Sequence, residues 1–205
     1  MSTDARVRRI TVFCGASSGC RPVHLRAVAE FGRALAEAGL ELVYGGARVG
    51  LMGAVADAAL RGGAAVTGVI PRHLARHEIR HTGLTRLLVV EDMHQRKARM
   101  AELGDAFVAL PGGLGTAEEF FETLTWAQIG LHDKPCALLD TDGFYQPLLA
   151  FLAHAAAEGF VSRRDVDGIV VCERPGDLLP RLAARARSAR SACSARSACS
   201  DGDAV

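Results

Sequence analysis

The chain has 205 residues, 49% of them hydrophobic, which is enough to fill the core of one globular domain and too many for a disordered or fibrous protein. A formal net charge of +1, with 23% charged residues, excludes the strong basic field behind nonspecific nucleic-acid binding and favours a small-molecule partner. No apolar run approaches the roughly 20 residues needed to span a bilayer, and the N-terminus carries no leader-like apolar stretch. The six cysteines follow no zinc or CxxC spacing, so a soluble cytoplasmic protein with free thiols is expected.

In chain order, short runs rich in Val, Ile and Leu alternate with amphipathic stretches. The pattern predicts a strand over 10–14, a helix over 23–38, a strand over 40–44, a helix over 51–61 and a strand over 65–70. A strand over 86–90, a helix over 93–103, a strand over 106–110, a helix over 117–129, a strand over 136–139, a helix over 144–157 and a strand over 168–171 follow. This alternation argues for an α/β three-layer sandwich, with a mostly parallel sheet covered by helices on both faces. Glycine clusters at 15–19, 45–53 and 112–115 fall where strands lead into helices. Ligands of such sheets bind at that edge, so the three loops are expected to build one pocket.

From about residue 185 the sequence becomes low in complexity, with "ARSACS" at 189–194 and again at 195–200. It holds too few large apolar groups to offset its ordering entropy. The expectation is one domain over 1–184 and a mildly basic disordered tail over 185–205.

At 111–116 the chain reads Pro-Gly-Gly-Leu-Gly-Thr and runs into a helix. Without β-carbons, backbone N–H groups can approach a ligand closely, and the helix dipole favours an anion there, so a phosphate is the natural guest. No Gly-Lys-Ser/Thr follows, and Glu118 stands where GxGxxG needs its last glycine, so neither an ATPase nor a standard nicotinamide dehydrogenase is indicated. Glu118 and Glu119 gain from the dipole in any case, yet a carboxylate aimed at the phosphate would repel it. At least one must point past the phosphate, to the group it is attached to. Glu119, Glu122 and Trp126 share a helical stripe that suits a polar pocket wall, with Glu118 about 100° away.

The second polar cluster, "EDMHQRKARM" at 91–100, crowds His94, Gln95, Arg96 and Lys97 into the start of a helix, where positive charge opposes the dipole. His73, His77 and His81 recur every four residues but lack a carboxylate partner other than Glu78, which fits a solvated or lid face better than a metal site. Cys14 and Cys20, flanking the first glycine loop, are taken as ordinary thiols.

"PGGLGTAEE", preceded by "MHQRKARM", "VFCGASSG" and "LVYGGARVGLMG", resembles the LONELY GUY family of cytokinin riboside 5′-monophosphate phosphoribohydrolases, long labelled lysine decarboxylases. "VIPRHL", "HEI" and "TWAQIGLHDKP" also fit, and the resemblance runs from about Ile10 to about Pro180. It implies a Rossmann-like homodimer, without metal or organic cofactor, that hydrolyses the N-glycosidic bond of AMP or N6-modified AMP to free base and ribose 5-phosphate. Arg96 and Glu119 map onto the family's catalytic pair, and Gly112, Gly113, Gly115 and Thr116 onto its phosphate loop. Lys97, Glu78 and Thr125 align with further substrate contacts, and Gly45, Gly46 and Ser17 belong to the other glycine loops of the nucleotide site.

The chemistry of the residues agrees. Cleaving a ribosyl–adenine bond builds an oxocarbenium-like cation, which a carboxylate such as Glu119 can stabilise while it positions a water. The planar fork of Arg96 can orient that carboxylate or a sugar hydroxyl. Two other classes compete: a nucleotide-binding sensor or carrier without catalysis, and a pyridoxal decarboxylase, whose Schiff base would have to use Lys97 or Lys134, the chain's only lysines.

Overall fold

The computed structural model describes residues 7–75 and 79–200, with 189–200 as backbone alone. Its strands are β1 (Arg9–Phe13), β2 (Glu41–Tyr44), β3 (Val66–Pro71), β4 (Arg86–Val90), β5 (Ala106–Ala109), β6 (Cys136–Leu139) and β7 (Val170–Cys172). They form one parallel sheet in the order β4-β3-β2-β1-β5-β6-β7. The helices are α1 (Pro22–Glu37), α2 (Gly50–Arg61), α3 (Arg72–Ala75), α4 (Met93–Leu103), α5 (Leu114–Gln128), α6 (Gln146–Ala157), α7 (Arg163–Asp167) and α8 (Pro175–Ser200). Among the described residues no helix is long and apolar enough to cross a membrane.

Successive residues of a strand point to opposite faces, and two core layers follow from that alternation. Val12, Leu42, Tyr44 and Val108 face one layer with Phe31 and Leu35 of α1, Val55 of α2 and Leu182 of α8. Phe13, Val43 and Phe107 face the other, with Met100 of α4, Phe120 of α5 and Leu152 of α6. The inner strands β5 and β6 are buried at every position, whereas the edge strand β4 is partly exposed throughout. Helices on both faces of a parallel sheet explain the continuous apolar runs.

Strand order reverses between β1 and β5, so the loops leaving these neighbours diverge and open a crevice at the carboxyl edge. The loops are stitched together: Gly15 N donates to Pro111 O at 3.1 Å, and Leu51 N to Gly15 O at 3.0 Å. Gly50 sits at φ 58°, and a β-carbon there would lie 2.3 Å from the carbonyl of Ala16, so only glycine brings the β2–α2 loop this close.

Two expectations change. α5 starts at Leu114 with Gly113 as its N-cap, so Gly115 and Thr116 belong to the helix's first turn and not to a loop before it. Segment 185–200, expected as disordered tail, continues α8 in the structure, with Leu182 and Ala186 1% and 4% exposed against the core. Alanine and arginine are strong helix formers, and this anchored first half lets their propensity extend the helix without large apolar groups. Residues 201–205 lie outside the described residues.

Candidate active site

The crevice is the mouth of a cavity of about 660 Å³, within the range of small-molecule sites. Asp92 caps α4 by accepting from Gln95 N at 2.8 Å, which offsets the basic side chains behind it. Arg96 then reaches inward, 8% exposed. Its Nε donates to Val69 O at the end of β3 at 3.2 Å, and its Nη1 to Glu119 Oε1 at 2.5 Å. A β-carbon on Gly45 would stand 2.2 Å from Arg96 Nη2, so this glycine exists to make room for the guanidinium. Glu119, on α5, is also 8% exposed; burial pushes its carboxyl above the usual range and the Arg96 guanidinium partly pulls it back. Both side chains line the cavity.

The loop beside them divides into two kinds of glycine. A β-carbon on Gly112 would lie 2.1 Å from Thr116 Oγ1 and 2.9 Å from Gly15 N, so Gly112 is required by protein packing. Gly113 and Gly115 line the cavity and have open space where a β-carbon would be. Their bareness serves whatever enters. No side chain caps α5, which leaves its first-turn N–H groups for a ligand.

Gly45, Arg96, Gly112, Gly113, Gly115, Thr116 and Glu119 thus converge, together with Ser17, whose Oγ accepts from Gly19 N at 3.3 Å. The other expected contacts are elsewhere. Lys97 is not in the cavity wall: its Nζ lies between Glu118 at 2.5 Å and Glu122 at 3.0 Å. Glu118, which also borders the cavity, therefore has an ionic partner beyond the helix dipole, and Glu122 serves that pair, so of the expected stripe of Glu119, Glu122 and Trp126 only Glu119 reaches the cavity. Thr125 is exposed and its Oγ1 donates to Phe121 O at 2.8 Å. Gly46, at φ 76°, packs against Ile70 and Leu87 and not on the cavity. Glu78 and His77 lie outside the described residues, and His81 pairs with Asp57 at 2.9 Å.

Cys14 borders the cavity, but burial pushes its thiol far up, which leaves it a poor nucleophile. Lys134 donates to Ala101 O at 2.7 Å, so neither lysine of the chain faces the cavity. Sequence reasoning missed the apolar wall of Val49, Leu51, Met52, Ile70, Leu74 and Met93, and also His24 with Phe144. The wall comes from several separate segments, and no local pattern marks it.

The arrangement offers an anion cradle at a helix start, a buried acid held by arginine, and an apolar chamber. A family model described as possible lysine decarboxylase matches residues 52–182. A cytokinin riboside 5′-monophosphate phosphoribohydrolase of Rhodococcoides fascians is 56% identical over 167 residues, covering 81% of this chain and 84% of that protein. An Arabidopsis thaliana protein of the same name is 51% identical over 160 residues, covering 78% of this chain and 74% of that one. Among solved structures, the molybdenum cofactor carrier protein of Chlamydomonas reinhardtii superposes with a TM-score of 0.67 at 21% identity, over 88% of this chain and 99% of that one, which shows a shared fold. The extent and level of these identities, together with the ordered motifs around Arg96 and Glu119, place the chain in the LONELY GUY family of cytokinin riboside 5′-monophosphate phosphoribohydrolases.

Proposed function

We propose that this protein hydrolyses the N-glycosidic bond of N6-modified adenosine 5′-monophosphates, releasing the base and ribose 5-phosphate. The observation that carries the proposal is the buried Arg96–Glu119 pair, 2.5 Å apart, in the wall of the cavity that the glycine loop opens into. The 5′-phosphate binds the N–H groups of Gly113 to Thr116, and that anchor sets the distance from the sugar to Glu119. As the bond to the base breaks, the electron pair goes to the base nitrogen, which takes up a proton from solvent, while the Glu119 carboxylate stabilises the positive charge growing at the anomeric carbon and takes a proton from the attacking water. Arg96, fixed by Val69 O, holds one carboxylate oxygen and leaves the other free for this work. The apolar wall suits a base that carries a hydrocarbon substituent.

Pyridoxal chemistry finds no support here: Lys97 is locked between two carboxylates and Lys134 points away from the cavity. We further propose a cytoplasmic homodimer, supported by exposed apolar groups near the site, among them Leu114 at 92% and Met93 at 37%. Light scattering tests the dimer. The activity is tested by incubating the protein with AMP, N6-isopentenyl-AMP and the matching nucleosides and separating any free base by chromatography. Release from the monophosphates is expected; equal release from the nucleosides would remove the phosphate-anchor role of residues 112–116.

A further inference from the structure

The cavity wall contains a second basic side chain that the Arg96–Glu119 chemistry does not use. His24, in the first turn of α1, is 8% exposed and lines the cavity. Its Nδ1 is sealed from solvent without a hydrogen-bond partner. Among the described residues no protein group bonds either ring nitrogen, although buried polar groups are almost always paired in native structures. Nδ1 has no acceptor for a hydrogen, so the ring's hydrogen belongs on Nε2, the one nitrogen not sealed off. That N–H faces the open cavity from a fixed ring and no described protein group accepts from it, so it is available to a ligand.

The surroundings hold this ring in place. Phe144 packs edge-on to it with centroids 5.4 Å apart, and Tyr145 packs edge-on to Phe144 at 5.0 Å. The Tyr145 hydroxyl donates to Leu110 O at 2.6 Å, at the root of the glycine loop. Arg21, at the start of α1, pairs with Asp142 and ties the turn before Phe144 to the same helix. The imidazole is thus positioned from three segments, as a binding group needs to be.

Its place selects the ligand atom. His24 Cδ2 lies 3.6 Å from the β-carbon position of Gly19, in the β1–α1 loop, and that loop is bonded to the phosphate loop through Gly15 N and Pro111 O at 3.1 Å. α1 and α5 cover opposite faces of the sheet, so His24 and Thr116 approach the crevice from its two sides. A phosphate at Gly113–Thr116 meets the N–H groups of α5 and Thr116 on one side, and its other side faces the α1 wall. Arg96, the other basic side chain in the wall, directs its Nε to Val69 O and its Nη1 to Glu119, on the acid's side of the cavity.

We propose that His24 is a substrate-binding residue whose Nε2 donates to the 5′-phosphate, so that the phosphate is gripped from α1 as well as from α5. This rests on the nucleotide reading of the cavity, but its test does not require turnover. Binding of AMP and of adenosine is measured by calorimetry on the parent, His24→Phe and His24→Gln. The Phe variant keeps a ring against Phe144 and loses the donor, whereas the Gln variant keeps an N–H near the Nε2 position.

The Phe variant is expected to bind AMP about tenfold more weakly with adenosine binding unchanged, and the Gln variant to recover most of the loss. With N6-isopentenyl-AMP the loss appears in KM and not in kcat. In the parent protein, the NMR signal of His24 Nε2 moves on adding AMP or inorganic phosphate and stays in place with adenosine. That measurement decides the matter even if a variant folds poorly. Parent-like AMP binding by the Phe variant, equal losses for AMP and adenosine, or an unmoved His24 signal each overturn the proposal. A parent protein that binds AMP but releases no base removes the hydrolase reading and leaves His24 to be decided by the binding comparison; a parent that binds no AMP removes both.

Discussion

Arg96 and Lys97 are neighbours on α4, and each meets glutamate on α5, yet the two pairings have different surroundings. Arg96 and Glu119 form a pair whose side chains are only 10% and 9% exposed, in the cavity wall. Lys97 bridges Glu118, 53% exposed and bordering the cavity, and Glu122, 28% exposed; Lys97 and Glu122 themselves stand outside the cavity wall. A pair within reach of water is screened and serves mainly to fasten two helices. A dehydrated pair at a cavity interacts strongly with any charge that develops beside it. One residue of helical phase, about 100°, therefore separates the pair proposed for the chemistry from a fastener.

Replacing the inner acid is the strongest test of that contrast. Glu119→Gln keeps the shape and still offers Arg96 an acceptor, so the fold and AMP binding should persist. Base release should fall by roughly two to three powers of ten, as read by chromatography. Arg96→Lys should cost about 100-fold, because an ammonium cannot hold both Val69 O and the carboxylate in one plane. Parent-like rates in both variants would cancel the catalytic assignment.

Gly45→Ala tests the same pair without touching either member. The added methyl would occupy space now held by Arg96 Nη2, 2.2 Å away, and displace the guanidinium. Activity should drop by about 10- to 100-fold with little change in melting temperature. The pH profile sharpens this. Hydrolysis needs Glu119 ionised and burial favours its neutral form, so activity is present above the raised pKa and lost as pH falls through it. The acid limb should therefore lie above the usual carboxylate range. Gly45→Ala should move it higher still, since Arg96 is the main group lowering it. An acid limb at or below that range in the parent would contradict the dehydrated setting of Glu119.

The same contrast marks what the sequence could convey. Inner strands such as β5 and β6 are legible because burial on both faces leaves continuous apolar runs, and every strand lies within two residues of its expected bounds. Arg96 is legible in "MHQRKARM", and Glu119 with the 112–116 loop in "PGGLGTAEE", because each motif is short enough to sit at one helix start. Lys97 stands beside Arg96 and Thr125 opens "TWAQIGLHDKP" on the helix of Glu119, but helical phase turns them away, Thr125 by about 240° from Glu119. His24 and the apolar wall are illegible for a different reason: segments far apart in sequence meet only once the sheet has brought their ends together. α8 is missed beyond 185 because composition reports the absence of a core and not the propensity of alanine and arginine to continue a helix already anchored at Leu182.

The outer pair supplies the smallest effects and the sharpest contrast. Lys97→Met keeps the aliphatic stem, removes the charge and leaves Glu118 and Glu122 facing each other across one helical turn. Stability should fall by about 1 kcal/mol, measured by chemical denaturation, and kcat by less than tenfold, because Arg96 keeps its own anchor at Val69 O. Glu118→Gln should change stability by less than about 0.5 kcal/mol, since Glu122 remains for Lys97. If Lys97→Met instead lost activity as deeply as Glu119→Gln with its fold intact, the outer lysine would act on substrate. The boundary between fastener and chemical group would then lie one residue farther along α4.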